Sequence, residues 1–309
     1  MYKNLNADVL GVTGRQSELI ELAMTYGFQG LDFDAVDLLK RVQRSDFEKA
    51  SRFLTSSKMR ASGFEIPVDL DTDDASFEKA LATLPPLAEV VGKLGGAAGV
   101  LKVPASTNRL AFPEYFEIIR KRIDRVADCF AKVNVLVGLS FSTAQEDREG
   151  KTFKFVQDVD SFLALIQACT SPSVGVVVDS YDWTVGGGTL EQLAAIPGNR
   201  IAALRVADVE SVPSIADSTH TKRQVAGRFG VIDNVKFVSL LSKNGFQGPI
   251  SSFADSSNVT GSKRDAIVAS TQDVLDQLLA GAGLPTFTRR PELIIESVGS
   301  VRDEIGLEA

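Results

Sequence analysis

Val174-Gly-Val-Val-Val-Asp179-Ser-Tyr-Asp-Trp183 is an apolar run that ends in a carboxylate and leads through Tyr181 and Asp182 into Gly186, Gly187 and Gly188. A continuous apolar strand closing on a charged side chain and a glycine-rich loop is the pattern of a parallel strand covered by helices, whose exit delivers that side chain to one rim of a sheet or barrel. A second run, Leu204-Arg-Val-Ala-Asp208, repeats the pattern with a cation, Arg205. Together the two runs set Asp179 and Arg205 at neighbouring strand exits.

Outward from this pair, short β-type runs alternate with longer helical patterns, the signature of βα units around a parallel sheet. Strands are expected at residues 5–11, 28–34, 59–68, 99–103 and 133–141 before the quoted run, and at 201–207 and 249–253 after it. Ser17 is placed to cap a helix through Leu19, Ile20, Ala23 and Met24, which Gly27 stops. A helical pattern over 74–93 is interrupted by Pro85 and Pro86, and Pro113 opens a long amphipathic helix to about Lys132. Further helices are read around 159–169, 190–195, 234–244 and 263–279, while residues 208–232 form a loop long enough to carry function.

Eight such units predict an α/β protein: a single (β/α)8 TIM barrel over residues 1–283, followed by a carboxy-terminal extension over 284–309. In that extension Arg289, Arg290 and Pro291 begin a weakly amphipathic segment suited to docking on the barrel or on a second subunit, which makes a homo-oligomer one expectation.

With 33 Lys plus Arg against 40 Asp plus Glu, the chain has a net charge of −7, so no global basic field exists to attract nucleic acid. No stretch approaches the roughly 18 consecutive apolar residues of a membrane span. Cys129 and Cys169 fall in helical patterns and read as free thiols of a reducing compartment rather than a disulfide framework. The first ten residues lack a charged leader followed by an apolar core, so the expected location is the cytoplasm. Asn258-Val-Thr260 matches a glycosylation triplet, which has no consequence without secretion.

Gly27-Phe-Gln-Gly-Leu-Asp32, residues 173–183, Gly227-Arg-Phe-Gly-Val-Ile-Asp233 and Gly245-Phe-Gln-Gly-Pro249 lie in an order and spacing that resemble the xylose isomerase-like TIM-barrel family, which includes sugar phosphate isomerases and epimerases. The resemblance implies one divalent cation held by a Glu on the fifth strand, an Asp on the sixth, a His on the seventh and a Glu on the eighth. Hard oxygen donors with one imidazole suit Mg²⁺, Mn²⁺ or Co²⁺, which would polarise a carbonyl and a hydroxyl during proton transfer. Carried onto this chain, those positions are Ser140, Asp179, Arg205 and Phe253. Only Asp179 is retained, and a protonated guanidinium cannot coordinate a cation. The inherited metal site is therefore expected to be lost, with no cofactor, unless a rebuilt site takes Mg²⁺, Mn²⁺ or Co²⁺. A substrate-touching His of the family falls on Asp182, and its substrate-contacting Arg on Arg223. The family also contains abasic-site endonucleases that use three zinc ions, a reading that one histidine and the acidic balance disfavour.

Two readings of Arg205 stand. In one, its guanidinium replaces the metal as partner of Asp179, a structural compensation. In the other, Arg205 stabilises an enediolate-like oxyanion while Glu65 or Asp182 moves the proton. Arg223, Trp183, Lys102 and Asp208 are the candidate ligand-binding residues, with Lys222, Arg223 and Arg228 forming a basic cluster suited to a phosphate or carboxylate. Phe253 is expected to plug the space of a lost ligand, and His220, the lone histidine, to sit in an exposed loop. Two functions follow: a barrel without metal chemistry that binds a small sugar-like or anionic ligand or a protein, or an active sugar or sugar-acid isomerase or epimerase with a rebuilt or metal-free acid/base site.

Overall fold

The computed structural model describes residues 1–259, 261, 263–289 and 291. Eleven strands run in chain order: β1 Tyr2–Leu5, β2 Gly30–Leu31, β3 Arg60–Ala61, β4 Gly63–Glu65, β5 Ala98–Lys102, β6 Ser106–Thr107, β7 Leu136–Ser140, β8 Phe153–Lys154, β9 Val174–Asp179, β10 Ile201–Val206 and β11 Pro249–Ser252. Nine of them make one parallel sheet in the order β3-β2-β1-β11-β10-β9-β7-β5-β4.

The two ends of that sheet are one strand divided at Ser62. Its N–H donates to the Leu31 carbonyl on one side (3.0 Å) and its carbonyl accepts the Ala98 N–H on the other (2.8 Å), so the sheet closes into an eight-stranded barrel. Closure leaves no unpaired edge, and the predicted α/β barrel is the architecture found. A separate antiparallel ribbon, β6 with β8, joins the loops that follow β5 and β7.

Several boundaries differ from the sequence reading. The first strand lies at Tyr2–Leu5 rather than at 5–11, because the chain turns over residues 7–12: Val12 N–H donates to the Ala7 carbonyl, and Gly11 supplies φ +68°. The helix Gln16–Thr25 is capped at Arg15, not Ser17, through the Glu18 carboxylate accepting the Arg15 N–H. Pro85 and Pro86 do not kink one helix. They occupy the first turn of a second, Leu84–Leu94, where missing N–H groups cost nothing, and the preceding helix ends at Leu81. Gly27 terminates its helix with φ +68°, as read, and Gly245 ends the helix Asn234–Lys243 in the same way with φ +85°.

Apolar faces of the outer helices and the strands form one continuous core. Inside the barrel a polar thread runs instead: the Tyr2 hydroxyl meets Ser62 Oγ (3.1 Å), and Asn4 Nδ2 donates to Ser251 Oγ (2.9 Å) and to Asp32 Oδ1 (2.8 Å). On the outer face of β1, Lys3 is fully buried and clasps the far end of the chain, pairing with Asp276 (2.7 Å) and donating to the Phe287 carbonyl (2.7 Å). Gln272 exchanges two hydrogen bonds with the Arg289 backbone, so residues 287–289 of the extension lie on the barrel. Arg290 and residues 292–309 lie outside the described residues. No described helix is long and apolar enough to cross a membrane.

Candidate functional site

β9 ends at Asp179, which caps the short helix Ser180–Val185 by accepting the N–H groups of Tyr181 (3.0 Å) and Asp182 (3.2 Å). That cap fixes both carboxylates at the barrel mouth. The register sets Arg205 beside Asp179 across β9 and β10, yet no ion pair forms between them. The cation that reaches Asp179 is Arg223, returning from the long loop after β10. Its Nη1 donates to both Asp179 oxygens (3.0 and 2.9 Å) and its Nη2 to Asp182 Oδ2 (2.5 Å).

All three residues are buried, and Arg223 packs against the rings of Tyr181 (4.5 Å) and Phe253 (5.6 Å). The remaining Asp182 oxygen accepts the Thr143 N–H (2.9 Å) and hydroxyl (2.8 Å). Ser218 then links Thr143 to the Tyr181 hydroxyl, sealing the cluster. Burial works against the Arg223 charge, but Asp179 and Asp182 outweigh it and hold the guanidinium above its usual range. Burial pushes the Asp179 carboxyl up, Arg223 opposes that, and the neighbouring Asp182 adds to it.

The loop that delivers Arg223 is itself pinned. Asp208, expected to contact ligand, is fully buried and accepts the N–H groups of Val209 (2.9 Å), Phe229 (2.9 Å), Gly230 (2.7 Å) and Ile232 (3.1 Å). Asn258 Nδ2, the atom of the glycosylation triplet, donates to the Thr221 (2.7 Å) and Arg223 (2.9 Å) carbonyls. The basic cluster is thereby split: Arg223 turns inward, Lys222 stays exposed against the Asp217 carbonyl, and Arg228 stays exposed over Phe229.

Other sequence-derived candidates scatter. Trp183 is 1% exposed, and its Nε1 donates to the Thr189 carbonyl (3.1 Å), which leaves no face for a ligand. Lys102 pairs with Asp147 (2.5 Å), which also pairs with His220 (3.1 Å). His220 lies in the long loop after β10, as expected, with 40% of its side chain accessible, and there it pairs with Asp147. Burial opposes ionisation of Asp147, yet His220, Lys102 and Ser142 hold its carboxyl well below the usual range. Ser140 is buried at the end of β7.

Arg205 and Glu65 do meet, at 3.6 Å, with the Arg205 guanidinium stacked on Phe253 (4.2 Å). Next to them is a group the sequence candidates missed. Asp32, at the exit of β2, accepts Asn4 Nδ2 and Asn6 Nδ2 (2.9 Å), and it lies over Gly63, where a Cβ would approach its Oδ1 to 2.6 Å. The signal was in the alternation: Gly63 and Glu65 share a face of β4, and the bare glycine makes room for the Asp32 carboxylate. Burial raises the Asp32 carboxyl above its ordinary range despite these donors and Arg205. Crowding by the barrel mouth also raises Glu65, against the pull of Arg205, although 73% of its side chain stays accessible and solvent screens the effect. Asp32, Glu65 and Phe253 line a mouth cavity of about 820 Å³. Phe253 separates this open half from the sealed Arg223 half.

No group of three or more His, Cys, Asp or Glu residues gathers as a metal site among the described residues. No curated protein matches the chain. Solved structures with the same architecture include a xylose isomerase domain protein from Alicyclobacillus acidocaldarius (22% identity, 92% of this chain and 99% of that one, TM-score 0.79). A D-psicose 3-epimerase from Clostridium cellulolyticum H10, solved with D-tagatose, matches at 15% identity over 91% of this chain and 99% of that one (TM-score 0.68). A sugar phosphate isomerase/epimerase from Parabacteroides distasonis ATCC 8503 matches at 13% identity over 91% and 94% (TM-score 0.64). At such identities these likenesses speak for the fold. The family model described as xylose isomerase-like TIM barrel matches residues 20–278, from the first helix to the last, and with that span and the closed barrel in place the chain belongs to the xylose isomerase-like TIM-barrel family.

Proposed function

We propose that this protein is a metal-independent member of its family that binds a small sugar-like ligand in the mouth cavity and does not carry out the divalent-metal isomerisation. The observation that carries the reading is the Arg223 fork, which occupies both oxygens of Asp179, the one carboxylate retained at the four positions where the resemblance puts metal ligands. The other three positions present the hydroxyl of Ser140, the guanidinium of Arg205 and the phenyl ring of Phe253. A hydroxyl, a cation and a hydrocarbon do not fit a divalent ion that asks for carboxylates and imidazole. The cavity beside the fork has the volume of ordinary small-molecule sites, with apolar walls and a few convergent polar groups.

Elemental analysis of purified protein, with Mn²⁺ and Co²⁺ titration of the wild type and an Asp179→Asn variant, tests this directly. No stoichiometric metal in either is expected. Stoichiometric metal in the wild type that disappears in the variant would overturn it.

One observation favours a second reading, metal-free acid/base chemistry: Glu65 and Asp32 flank Arg205 at the open cavity, two carboxylates beside one oxyanion-stabilising cation. Asp182, the other proton carrier considered, has both oxygens engaged in the sealed half. Turnover of a sugar or sugar acid in the presence of chelator, abolished in Glu65→Gln, would establish this reading over simple binding.

A further inference from the structure

The mouth cavity carries a charge pattern that narrows its ligand, and this step rests on the metal-independent reading above. Two carboxylates, Asp32 and Glu65, line it, with the Arg205 guanidinium 3.6 Å from Glu65. Arg205 is already committed: it stacks on Phe253 and lies within 3.6 Å of Glu65. Around the rim, three further acidic residues line the cavity against Arg15 and Arg41. Arg41 is tied to Asp37 (3.0 Å) and Gln16. Arg205 and Arg41 are therefore paired, and a phosphate or carboxylate passing Arg15 at the rim would meet carboxylates further in. The anionic ligand suggested by the basic run at residues 222–228 has lost its receptor, because Arg223 is sealed away.

What remains open to a ligand is acceptor-rich. Glu65 keeps 73% of its side chain accessible, which leaves room for a second partner beside its ion pair with Arg205. Asn6 stands beside Asp32 at the cavity wall, donating through Nδ2 (2.9 Å). Phe253, part-exposed at the cavity wall, supplies an apolar ring face on which a carbon ring packs. Carboxylates beside an amide and an aromatic ring suit a ligand that brings hydroxyls and one positive charge.

From this geometry we infer that the mouth cavity takes a small polyhydroxylated amine, such as an amino sugar, with the ammonium group seated between Glu65 and Asp32 and the hydroxyls facing Asn6. An ammonium here adds a charge–charge attraction to the hydrogen bonds that a hydroxyl at the same position would also make to a carboxylate, and a phosphate meets repulsion.

Calorimetric titration of chelator-treated protein with glucosamine, glucose and glucose 6-phosphate tests the assignment. Glucosamine is expected to bind about tenfold more tightly than glucose, the added attraction of a partly exposed ion pair over a hydroxyl–carboxylate hydrogen bond, and glucose 6-phosphate not to bind. Glu65→Gln, at an accessible position that does not threaten folding, should remove the preference for the amine while leaving the thermal transition unchanged. Equal binding of glucosamine and glucose, tighter binding of the phosphate, or no binding of glucosamine would each overturn the inference. Binding that appears only after Mn²⁺ is added would instead overturn the metal-independent reading on which it rests.

Discussion

Replacing Arg223 by Ala leaves two buried carboxylates without the cation they share. Arg223 is 4% exposed, Asp179 7% and Asp182 2%, so water cannot readily take over the missing partner. Deleting one side of such a pair costs about 3–5 kcal/mol, because the remaining charge stays buried and uncompensated. In a chain of this size each kcal/mol moves the melting temperature by about 2–4 °C, which puts the expected loss at roughly 6–20 °C. Asp179→Asn added to Arg223→Ala should recover part of it, since the pair is coupled rather than additive. The loss should also depend on pH with a fixed sign. Burial raises the Asp179 carboxyl, and a raised carboxyl destabilises the fold above its folded value and stops doing so once protonated. Without Arg223 that value rises further, so the gap between variant and wild type narrows as the pH is lowered. Urea denaturation read through Trp183, the single tryptophan, gives the free energies. Arg205→Ala is the comparison, because its partner Glu65 is largely exposed and screened. An Arg223→Ala loss below about 1 kcal/mol, or one no larger than that of Arg205→Ala, would refute the account of Arg223 as the internal counter-ion.

Asp208→Ala removes the acceptor for four loop N–H groups and should cost about 3 kcal/mol, with hydrogen exchange at residues 229–232 accelerating; unchanged protection there would contradict the pinning role. Gly188→Ala places a Cβ within 2.4 Å of Trp183 Nε1, so a loss of about 1–3 kcal/mol with a shifted fluorescence maximum is expected, and a silent substitution would mean the ring has room to move. Asp147 has a depressed carboxyl, so its pairing with Lys102 and His220 stabilises the fold above the unfolded value near ~4 and is lost as pH falls through the folded one. The melting temperature of Asp147→Asn should therefore lie below that of wild type at pH 7 and approach it in strong acid; a gap independent of pH would argue against the linkage.

The barrel was legible because its strands are apolar runs separated by helical periodicity, and that alternation survives shifts of a few residues at each boundary. Strand exits were legible for the same reason: Asp179, Arg205, Glu65 and Phe253 all stand at the mouth. Partnership was not. Lateral neighbours in the ladder suggested Asp179 with Arg205, whereas the guanidinium that reaches Asp179 comes from Arg223, 44 residues along the chain. Its approach depends on Asp208 and Asn258 holding a loop whose course no periodic pattern encodes. Asp208 looked like a ligand contact because a carboxylate after a strand has the same sequence signature whether it faces substrate or backbone N–H groups. Asp32 was visible as an acidic strand end, but its inward turn depends on Asn4 and Asn6 at the end of β1 and on the bare face of Gly63 in β4, two elements that only the closed barrel brings together around it.

The Lys3 clasp sets an order of events in folding. β1 lies between β2 and β11, and the Lys3 ammonium reaches partners on Asp276 and on Phe287, the latter 284 positions away. Burying that ammonium before the last helix and residues 287–289 are in place would leave it unpaired in apolar surroundings, a costly state. Contacts of such sequence separation form slowly, since the chain between them must be closed first. We expect the amides of β1 to gain protection last in pulse-labelled refolding, and early protection of β1 would disprove it. The strand that precedes all the others in the barrel would then be the one fastened last, with the barrel held ajar at that seam until residue 287 is in place.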